Sequence, residues 1–507
     1  MRRLLVLIAI LAFCYVGASA QLTEQQQIQK LNLVYQQIRN NYVDDVELES
    51  LVDEAIRATI AKLDPHSNYL SKEEMEWLKG RISGEQAGIG ISYIVHNDTL
   101  VVRSTMDNSP ARLADIRPND RIIAVDNRSI VAISADSISS LLKGAPDSDV
   151  RLQIKRRNVN ETINIKLKRD NIKTSTVSTS YRIGEVGYFA ISSFSKVTYN
   201  DFYKAYKKLG DIGSFVIDLR DNGGGAGGGA IDLASLFLEK GDVIVYHEYR
   251  NRQDCITKRS ENVMCDIPMV ILINENSASA SELFTGAMQD NDRAMVIGRT
   301  SFGKGLIQRV IDLKDGSGIT LTIGRYKTPS GRIIQRPYEM GKRGEYRADS
   351  TRYLHPDSIS FSDRPAYTTL KKGRKVYGGG GITPDIYIPA ENLPLSECVV
   401  KAYNEALFEH TIIELCDVID AEELLKQYPT HEDFATNYDL DTRAMELFYT
   451  LAGFTEKDIT QEDKEYIEVM LTATLAEQLY GENGRYYIYG PRYDNVLRKA
   501  IEIASEW

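Results

Sequence analysis

Two short segments carry residue types that could do covalent chemistry, and both follow predicted strands. The first is a serine-rich stretch at 274–282, where a buried strand is followed by a helix, and Ser277, Ser279 and Ser281 occupy the junction. A hydroxyl there lies near the positive end of the helix, where backbone N–H groups lack partners. Such N–H groups stabilise an oxyanion, so the junction suits a serine nucleophile.

The second segment places a lysine, Lys304, between two glycines. A serine nucleophile needs a base, and the histidine nearest to the serines in sequence, His247, lies outside both segments. A lysine can take that role when burial lowers its pKa towards the working pH. The alternative is a helix that begins in small residues and an unrelated surface lysine, and residue chemistry alone leaves both open.

Residues 171 to about 330 must position both segments, and they alternate strands with helices. Apolar runs rich in β-branched residues predict buried strands, and amphipathic runs between them predict helices. This order is typical of a layered α/β core. The predicted strands are 186–192, 214–219, 269–273, 294–298 and 318–326, and the predicted helices are 199–209, 230–238 and 281–288.

Residues 84–169 have the strand period and the turns of a small β-domain. Their order resembles a PDZ domain, on the evidence of the segments at 88–91, 109–111 and 119–122. A PDZ domain binds an extended C-terminal peptide as an added strand, and its glycine loop offers N–H groups to the terminal carboxylate. The alternative is a β-domain used only for packing.

Helical patterns flank these two units. Residues 21–83 predict an N-terminal helical region, with an apolar stripe from Leu48 to Leu63 and a capped helix start at Ser71. Residues 336–377 are polar and predict an insertion or mobile loop in a core that spans 170–391. Residues 392–507 predict a separate helical domain, so the fold class is multidomain α/β.

From residue 63 to about 389 the chain resembles the C-terminal processing peptidases, also called tail-specific proteases. Each marker is modest alone, but their order and spacing are specific. The markers are Leu-Asp-Pro-His-Ser-x-Tyr at 63–69, the PDZ unit, Asp-Leu-Arg-Asp-Asn-Gly-Gly-Gly at 218–225, the serine run, Phe-Gly-Lys-Gly at 302–305 and Gly-Ile-Thr-Pro-Asp at 381–385.

The resemblance implies a role for each matching residue. It makes the middle serine, Ser279, the nucleophile, and it makes Lys304, 25 residues later, the base, oriented by Gln308. The oxyanion hole would combine the N–H of Ala280 with that of Gly225 or, because the glycine run blurs the register, Gly224.

The resemblance also implies a Ser/Lys serine endopeptidase that cleaves near the C-termini of exported or unfolded proteins. The PDZ domain would bind the substrate tail, and neither a metal nor an organic cofactor would be needed. The resemblance also allows two further partners, a second copy of the chain and an adaptor of unknown identity. The tail-binding residues would be Gly88, Ile89, Gly90 and Ile91.

Two rival functions remain to be weighed. Residues 298–304 fit Gly-x4-Gly-Lys, but Gly305 stands where a phosphate-binding loop needs Ser or Thr. Residues 223, 225 and 228 formally match a dinucleotide fingerprint, although a run of six glycines in seven positions produces such a match by chance. The other rival is an inert scaffold that binds peptides through its PDZ unit without cleaving them.

The N-terminus predicts export. Residues 1–20 combine Arg2 and Arg3, an apolar run and a small-residue end, as in a signal peptide, with a retained anchor or lipidation at Cys14 as alternatives. We therefore expect a periplasmic or otherwise extracytoplasmic protein. A formal charge of −10 without basic runs argues against nucleic acid as a partner.

Four cysteines would remain after cleavage of the signal peptide. In an exported chain they admit disulfides, such as Cys255–Cys265 and Cys398–Cys416, or free buried thiols. Without a Cys-x-x-Cys motif, a zinc site built on cysteine pairs is not expected.

Overall fold

The computed structural model describes residues 22–258, 264, 266–348, 364–390 and 396–507. The predicted signal peptide, Cys14 and Cys265 lie outside these residues. Within them, no helix is both long and apolar enough to cross a membrane. Cys255, Cys398 and Cys416 are free thiols, so the disulfide considered between Cys398 and Cys416 is not formed.

The N-terminal region is helical, as predicted, but its apolar stripe is largely uncovered. Helix α1 has no buried residue, and α2 buries only Ile60 although it carries the stripe. A short strand, β1, then leads into α3, which begins at the predicted cap Ser71. The bounds are α1 Glu24–Asn41, α2 Leu48–Ile60, β1 Asn68–Leu70 and α3 Lys72–Ser83.

The next unit is a PDZ domain whose strands follow the spatial order β3-β4-β5-β7-β8, with β6 on β5. Strand β3 lies at one edge of this sheet, and β2 pairs separately with β9. The bounds are β2 Glu85–Gly88, β3 Ile91–His96, β4 Thr99–Thr105, α4 Pro110–Leu113, β5 Arg121–Val125, β6 Arg128–Ser129, α5 Ala135–Leu142, β7 Asp149–Lys155, β8 Ile163–Lys168 and β9 Asp170–Lys173.

The core is built on a sheet with the spatial order β10-β11-β12-β15-β16-β21, parallel except for the β10–β11 pair. Apolar residues of α6, α7 and α8 pack on one face of this sheet. The bounds are β10 Val177–Ile183, β11 Val186–Ile191, α6 Thr198–Leu209, β12 Ser214–Asp218, α7 Gly227–Ala234, β15 Met269–Ile273, α8 Ala280–Asp290, β16 Met295–Gly298 and β21 Ile386–Tyr387.

A second, antiparallel sheet lies beside the first in the order β1-β18-β13-β14, with β17 on β18. The predicted strand at 318–326 belongs here and not to the parallel sheet, because it pairs with β13 and β17. The described part of the predicted insertion contains α9, β19 and β20. The bounds are β13 Val243–Tyr249, β14 Arg252–Thr257, β17 Leu306–Asp312, β18 Gly318–Lys327, α9 Arg343–Ala348, β19 Ala366–Thr368 and β20 Lys375–Tyr377.

The C-terminal region is helical, and most of it has its own apolar core. Its last helix, α17, instead packs on the free face of the parallel sheet through residues such as Val496 and Leu497. The domain limits proposed from sequence stay predictions. The bounds are α10 Glu397–Asn404, α11 Leu407–Cys416, α12 Ala421–Gln427, α13 His431–Asn437, α14 Thr442–Ala452, a 3-10 turn at Glu456–Asp458, α15 Gln461–Tyr480, α16 Glu482–Tyr493 and α17 Asn495–Ser505.

The PDZ domain rests on the C-terminal helices through charged groups. Its arginines face acidic residues of those helices, and the pairs are Arg103–Glu477, Arg117–Glu422 and Arg121–Asp417. Beside them the His96 and His410 rings meet, with their Nδ1 atoms 2.7 Å apart. Burial, followed by the His410 charge, lowers the pKa of His96 to about 4, and burial lowers the pKa of His410 as well.

We expect this docking to weaken as the pH falls. The docked histidine stays neutral down to about pH 4, whereas the released histidine has its ordinary pKa of 6.5. Between about pH 6.5 and 4 the released state therefore binds more protons, and a falling pH favours it. The surrounding Arg121, Asp417, Glu409 and Glu414 do not reverse this direction. The measurement is the hydrogen-exchange rate of the β4 and α11 amides at pH 7.5 and pH 5, each relative to the intrinsic exchange rate at that pH.

The matched comparison is His96→Gln, which keeps a polar side chain but cannot titrate. Exchange in this variant should depend less on pH than in the unmodified chain. The same increase in exchange between pH 7.5 and 5 in both proteins would contradict a role for the histidine pair.

Candidate active site

Three loops meet at the carboxyl edge of the parallel sheet. They are the oxyanion loop after β12 (219–226), the nucleophile loop after β15 (274–279) and the lysine loop after β16 (299–305). Because neighbouring parallel strands end at the same edge, residues far apart in sequence come together there. The predicted Ser279, Lys304 and Gly225 are therefore carried by adjacent loops.

Ser279 lies immediately before α8 in a backbone conformation that is rare for a residue with a side chain. Its φ is +57° and its ψ is −110°. Every residue of the helix behind it is buried. Strained backbone of this kind persists only where the surrounding structure holds it, and it is concentrated at functional sites.

Glu282, in the first turn of α8, joins the nucleophile loop to the lysine loop. Its Oε2 accepts the N–H of Ser279 and the N–H of Lys304, each at 2.8 Å. Its Oε1 accepts the N–H of Gly303 and the hydroxyl of Ser301, each at 2.6 Å. Burial raises the pKa of this carboxyl, while the four donors favour its charged form.

Tyr326, on β18, ties the same two loops from the other side. Its hydroxyl lies 2.9 Å from both the Ser279 carbonyl oxygen and the Lys304 carbonyl oxygen. The backbones of Ser279 and Lys304 are thus held at two points each, by a carboxylate through their N–H groups and by a phenol through their carbonyls.

The Lys304 amine is directed by the residue predicted to orient it. Its Nζ donates to Gln308 Oε1 at 2.9 Å, and Gln308 Nε2 donates to the carbonyl of His66 at 2.7 Å. Burial lowers the pKa of Lys304, against the raising effect of Glu282 and Asp64. Among the described contacts the amine makes no hydrogen bond with the Ser279 hydroxyl. The distance between a general base and its nucleophile commonly shortens only when substrate is bound.

His66 lies beside the lysine although it is remote in sequence. In the sequence no histidine lies near either segment. In space His66 does, because β1 pairs with β18 and carries the turn before β1 to the site. Burial and the Lys304 charge lower the pKa of His66 to about 3. Its Nε2 lies 3.2 Å from the Tyr346 hydroxyl, so the neutral ring has a structural partner.

Two backbone N–H groups at this edge, one in the oxyanion loop and one at the start of α8, have no hydrogen-bond acceptor among the described residues. Gly224 N–H donates to the side chain of Asn222 at 2.9 Å, whereas the N–H groups of Gly225 and Ala280 have no acceptor within the described residues. A Cβ on Gly224 would lie 2.9 Å from both the Ala280 nitrogen and the Ser279 Cβ, so the loop approaches Ser279 closely. This geometry favours Gly225 over Gly224 as the second donor.

A cleft of about 520 Å³ opens beside Lys304 and Gln308. Aromatic and aliphatic side chains line one part of it, including Phe302, Trp77 and Leu70, and polar or charged side chains line the rest. The predicted PDZ residues Gly88, Ile89, Gly90 and Ile91 line a separate groove, together with Tyr93 and Leu142. They do not line the cleft beside Lys304.

Sequence reasoning missed Glu282, Tyr326, Asn222 and His66. Glu282 had a usable signal, because Ser-x-x-Glu at a helix start is the capping-box spacing. The other three act through contacts between segments distant along the chain, which spacing does not reveal.

The glycine run offers a matched test of the oxyanion loop. Gly225 has φ +141° and its Cβ would lie 2.0 Å from the Phe194 carbonyl oxygen, whereas a Cβ on Gly228, in α7, meets nothing within 4 Å. We expect Gly225→Ala to lower the free energy of unfolding by about 3 kcal/mol. Gly228→Ala should raise it by up to about 1 kcal/mol. Urea unfolding measures both, and equal effects would contradict this placement of the loop.

Comparison with known proteins agrees with this architecture. Residues 185–340 match the model of peptidase family S41, residues 87–167 match a PDZ domain, and residues 15–74 match the N-terminal domain of the activating protease CtpB. The chain is 32% identical over 323 residues to the carboxy-terminal processing protease CtpA of Bacillus subtilis, covering 63% of this chain and 69% of that protein.

A second relative points the same way. A carboxy-terminal-processing protease of Bartonella bacilliformis is 32% identical over 321 residues, covering 61% of this chain and 73% of that protein. The photosystem II D1 C-terminal processing protease is a solved structure 24% identical to this chain, covering 75% of this chain and 97% of its own, but a TM-score of 0.36 is too low to carry an argument. The chain therefore belongs to the S41 family of carboxy-terminal processing proteases and is a serine-type peptidase with a PDZ domain.

Proposed function

We propose that this protein is a Ser/Lys endopeptidase that cleaves near the C-termini of exported or unfolded proteins, with Ser279 as nucleophile and Lys304 as base. The observation that carries the proposal is the Glu282 carboxylate, which holds the Ser279 and Lys304 backbones side by side. Burial lowers the pKa of Lys304 and so increases the fraction of the neutral amine that a base requires.

In this mechanism neutral Lys304 takes the proton of the Ser279 hydroxyl as the oxygen attacks the peptide carbonyl. The N–H groups of Ala280 and Gly225 donate to the oxyanion that forms. The C–N bond then breaks, Lys304 returns the proton to the leaving amine, and an acyl-enzyme remains. Lys304 next removes a proton from water, whose oxygen attacks the ester carbon. The C–O bond to Ser279 then breaks, and Lys304 returns the proton to the serine oxygen.

Gln308 supports the lysine in this cycle. With its Nε2 committed to the His66 carbonyl, its Oε1 must face the Lys304 amine. The contact fixes the direction of the amine and accepts one of its hydrogens in either protonation state. Its role is thus orientation and not proton transfer.

The PDZ groove would receive the substrate tail. Strand β3 is an edge strand, so an extended peptide can pair with it between β3 and α5. Ile89, Tyr93 and Leu142 line the groove, which favours a tail that ends in an apolar residue. The terminal carboxylate would meet the backbone of residues 88–91.

Export and assembly complete the proposal. The signal-like residues 1–20 support an extracytoplasmic location. Helix α1 buries none of its residues, and Ile28, Leu31 and Leu33 on it are exposed, which fits a second copy of the chain as partner. An adaptor of unknown identity is the other partner that the resemblance to the family allows.

Mass spectrometry of products from an unfolded protein with an apolar C-terminus tests the chemistry. Ser279→Ala should abolish cleavage, and Lys304→Ala should lower kcat by about 10³-fold, the usual contribution of a general base. Because the neutral amine is the active form and its pKa lies below 10.5, the cleavage rate should rise from neutral pH towards that pKa.

Lys314→Ala is the control, because this lysine is exposed on the turn between β17 and β18. It should leave both kcat and the pH profile unchanged. Cleavage by Ser279→Ala at the rate of the unmodified chain would exclude Ser279. Negligible cleavage by every protein, with folding intact, would favour the inert scaffold.

Tail binding is tested separately with the Ser279→Ala chain. A fluorescent peptide that ends in an apolar residue with a free carboxylate should bind at least about tenfold more tightly than its C-terminal amide, because charge-assisted hydrogen bonds are lost in the amide. Fluorescence anisotropy measures both affinities. Equal affinities would show that the groove does not read the terminal carboxylate.

A further inference from the structure

We infer that Asp494, in the C-terminal region, is a positioning residue for the peptidase reaction. It acts through Arg220, which lies at the start of the oxyanion loop. The inference rests on the proposed function, since it concerns the loop assigned to oxyanion binding. It gives the C-terminal helices a part in the chemistry.

The contact is a buried, two-point ion pair. Asp494 Oδ1 accepts Arg220 Nη1 at 2.9 Å, and its Oδ2 accepts Arg220 Nη2 at 2.6 Å. Arg220 also donates its Nε to both oxygens of Asp218 at 2.9 Å. The side chains are 17%, 10% and 7% exposed for Arg220, Asp494 and Asp218, so the three charges depend on one another and not on water.

Arg220 is joined to the oxyanion donor by a short chain of contacts. Two residues later, Asn222 donates to the Ile191 carbonyl at 2.7 Å and accepts the Gly224 N–H at 2.9 Å. Between them, the Asp221 carboxylate accepts the side-chain amides of Asn274 and Asn276 in the nucleophile loop. A shift of Arg220 would therefore move the loop relative to Ser279.

Asp494 itself stands on a rigid support. It lies between α16 and α17 and accepts the Leu497 N–H at 2.9 Å, which caps α17. That helix buries Val496, Leu497 and Ala500 against β12 and β15 of the core sheet. The carboxylate thus couples the end of β12 to a helix packed on the same sheet.

Removing the charge would free the Nη end of Arg220 to move into an adjoining cleft, while its Nε still faces Asp218. This cleft has a volume of about 750 Å³ and is lined by Asp221, Glu482 and Arg299 among others. Arg220 could then turn towards Glu482 or Asp221, and the oxyanion loop would lose its anchor. Loss of alignment at an oxyanion donor reduces transition-state stabilisation more than substrate binding, so kcat should fall and KM should not.

The test is Asp494→Asn in the full-length mature chain. Asparagine has the same size and caps helices as well as aspartate, so α17 keeps its cap while the charge is lost. We expect kcat on a peptide substrate to fall by about tenfold with KM within about twofold. Affinity for a peptide boronate, which forms a tetrahedral adduct, should fall in parallel.

Asp441→Asn is the matched control. Asp441 also caps a C-terminal helix, α14, and also forms a two-point pair with an arginine, Arg443, but away from the core sheet. Its kcat should stay at the unmodified value. An equal loss in both variants would mean general destabilisation of the C-terminal helices and would overturn the inference.

Hydrogen exchange separates this inference from the proposed function. In Asp494→Asn the Gly224 and Ala226 amides, which donate to Asn222 and to the Phe194 carbonyl, should exchange faster, with no change in the PDZ domain. If the unmodified chain cleaves nothing, the proposed function fails, and these amides still report whether Asp494 holds the loop. Unchanged exchange together with unchanged kcat would overturn the inference alone.

Discussion

The structure depends above all on one buried carboxylate. Glu282 is 1% exposed and accepts four hydrogen bonds from two loops that are far apart in sequence. A buried charge is tolerated only when its hydrogen-bonding capacity is satisfied, so the two loops must adopt the one arrangement that supplies the donors. That arrangement places the Ser279 and Lys304 backbones next to each other and leaves the Ala280 N–H without an acceptor in the part of the chain that the structure describes.

Electrostatics also decides how the other parts meet the core. The PDZ domain meets the C-terminal helices mainly through arginines and carboxylates, whereas α17 and the Asp494 before it meet the core through apolar residues and a buried ion pair. Exposed ion pairs are individually weak and screened by salt, whereas apolar burial and desolvated pairs are not. The same C-terminal region therefore contacts one partner through a surface that responds to pH and salt and the other through a surface that does not.

Much of the fold was readable from pattern. Apolar runs at 214–219 and 269–273 became strands β12 and β15, and the capped start at Ser71 became α3. Local pattern did not decide which strands pair. The strand at 318–326 has the same local pattern as the core strands, yet it pairs in another sheet, because pairing depends on which edges are free in three dimensions. The α2 stripe predicts an apolar face but not what covers it.

For the site, the sequence by itself determined the residue types, their order and the family. The resemblance to the family assigned Ser279, Lys304 and Gln308, and their catalytic roles remain predictions. Only the tertiary structure decided that Glu282 and Tyr326 hold the two loops together, that His66 lies beside Lys304, and that Gly224 has a hydrogen-bonded N–H while Gly225 does not. The physical reason is that these contacts join segments up to 242 residues apart, and hydrogen bonding and desolvation act through space and not along the chain.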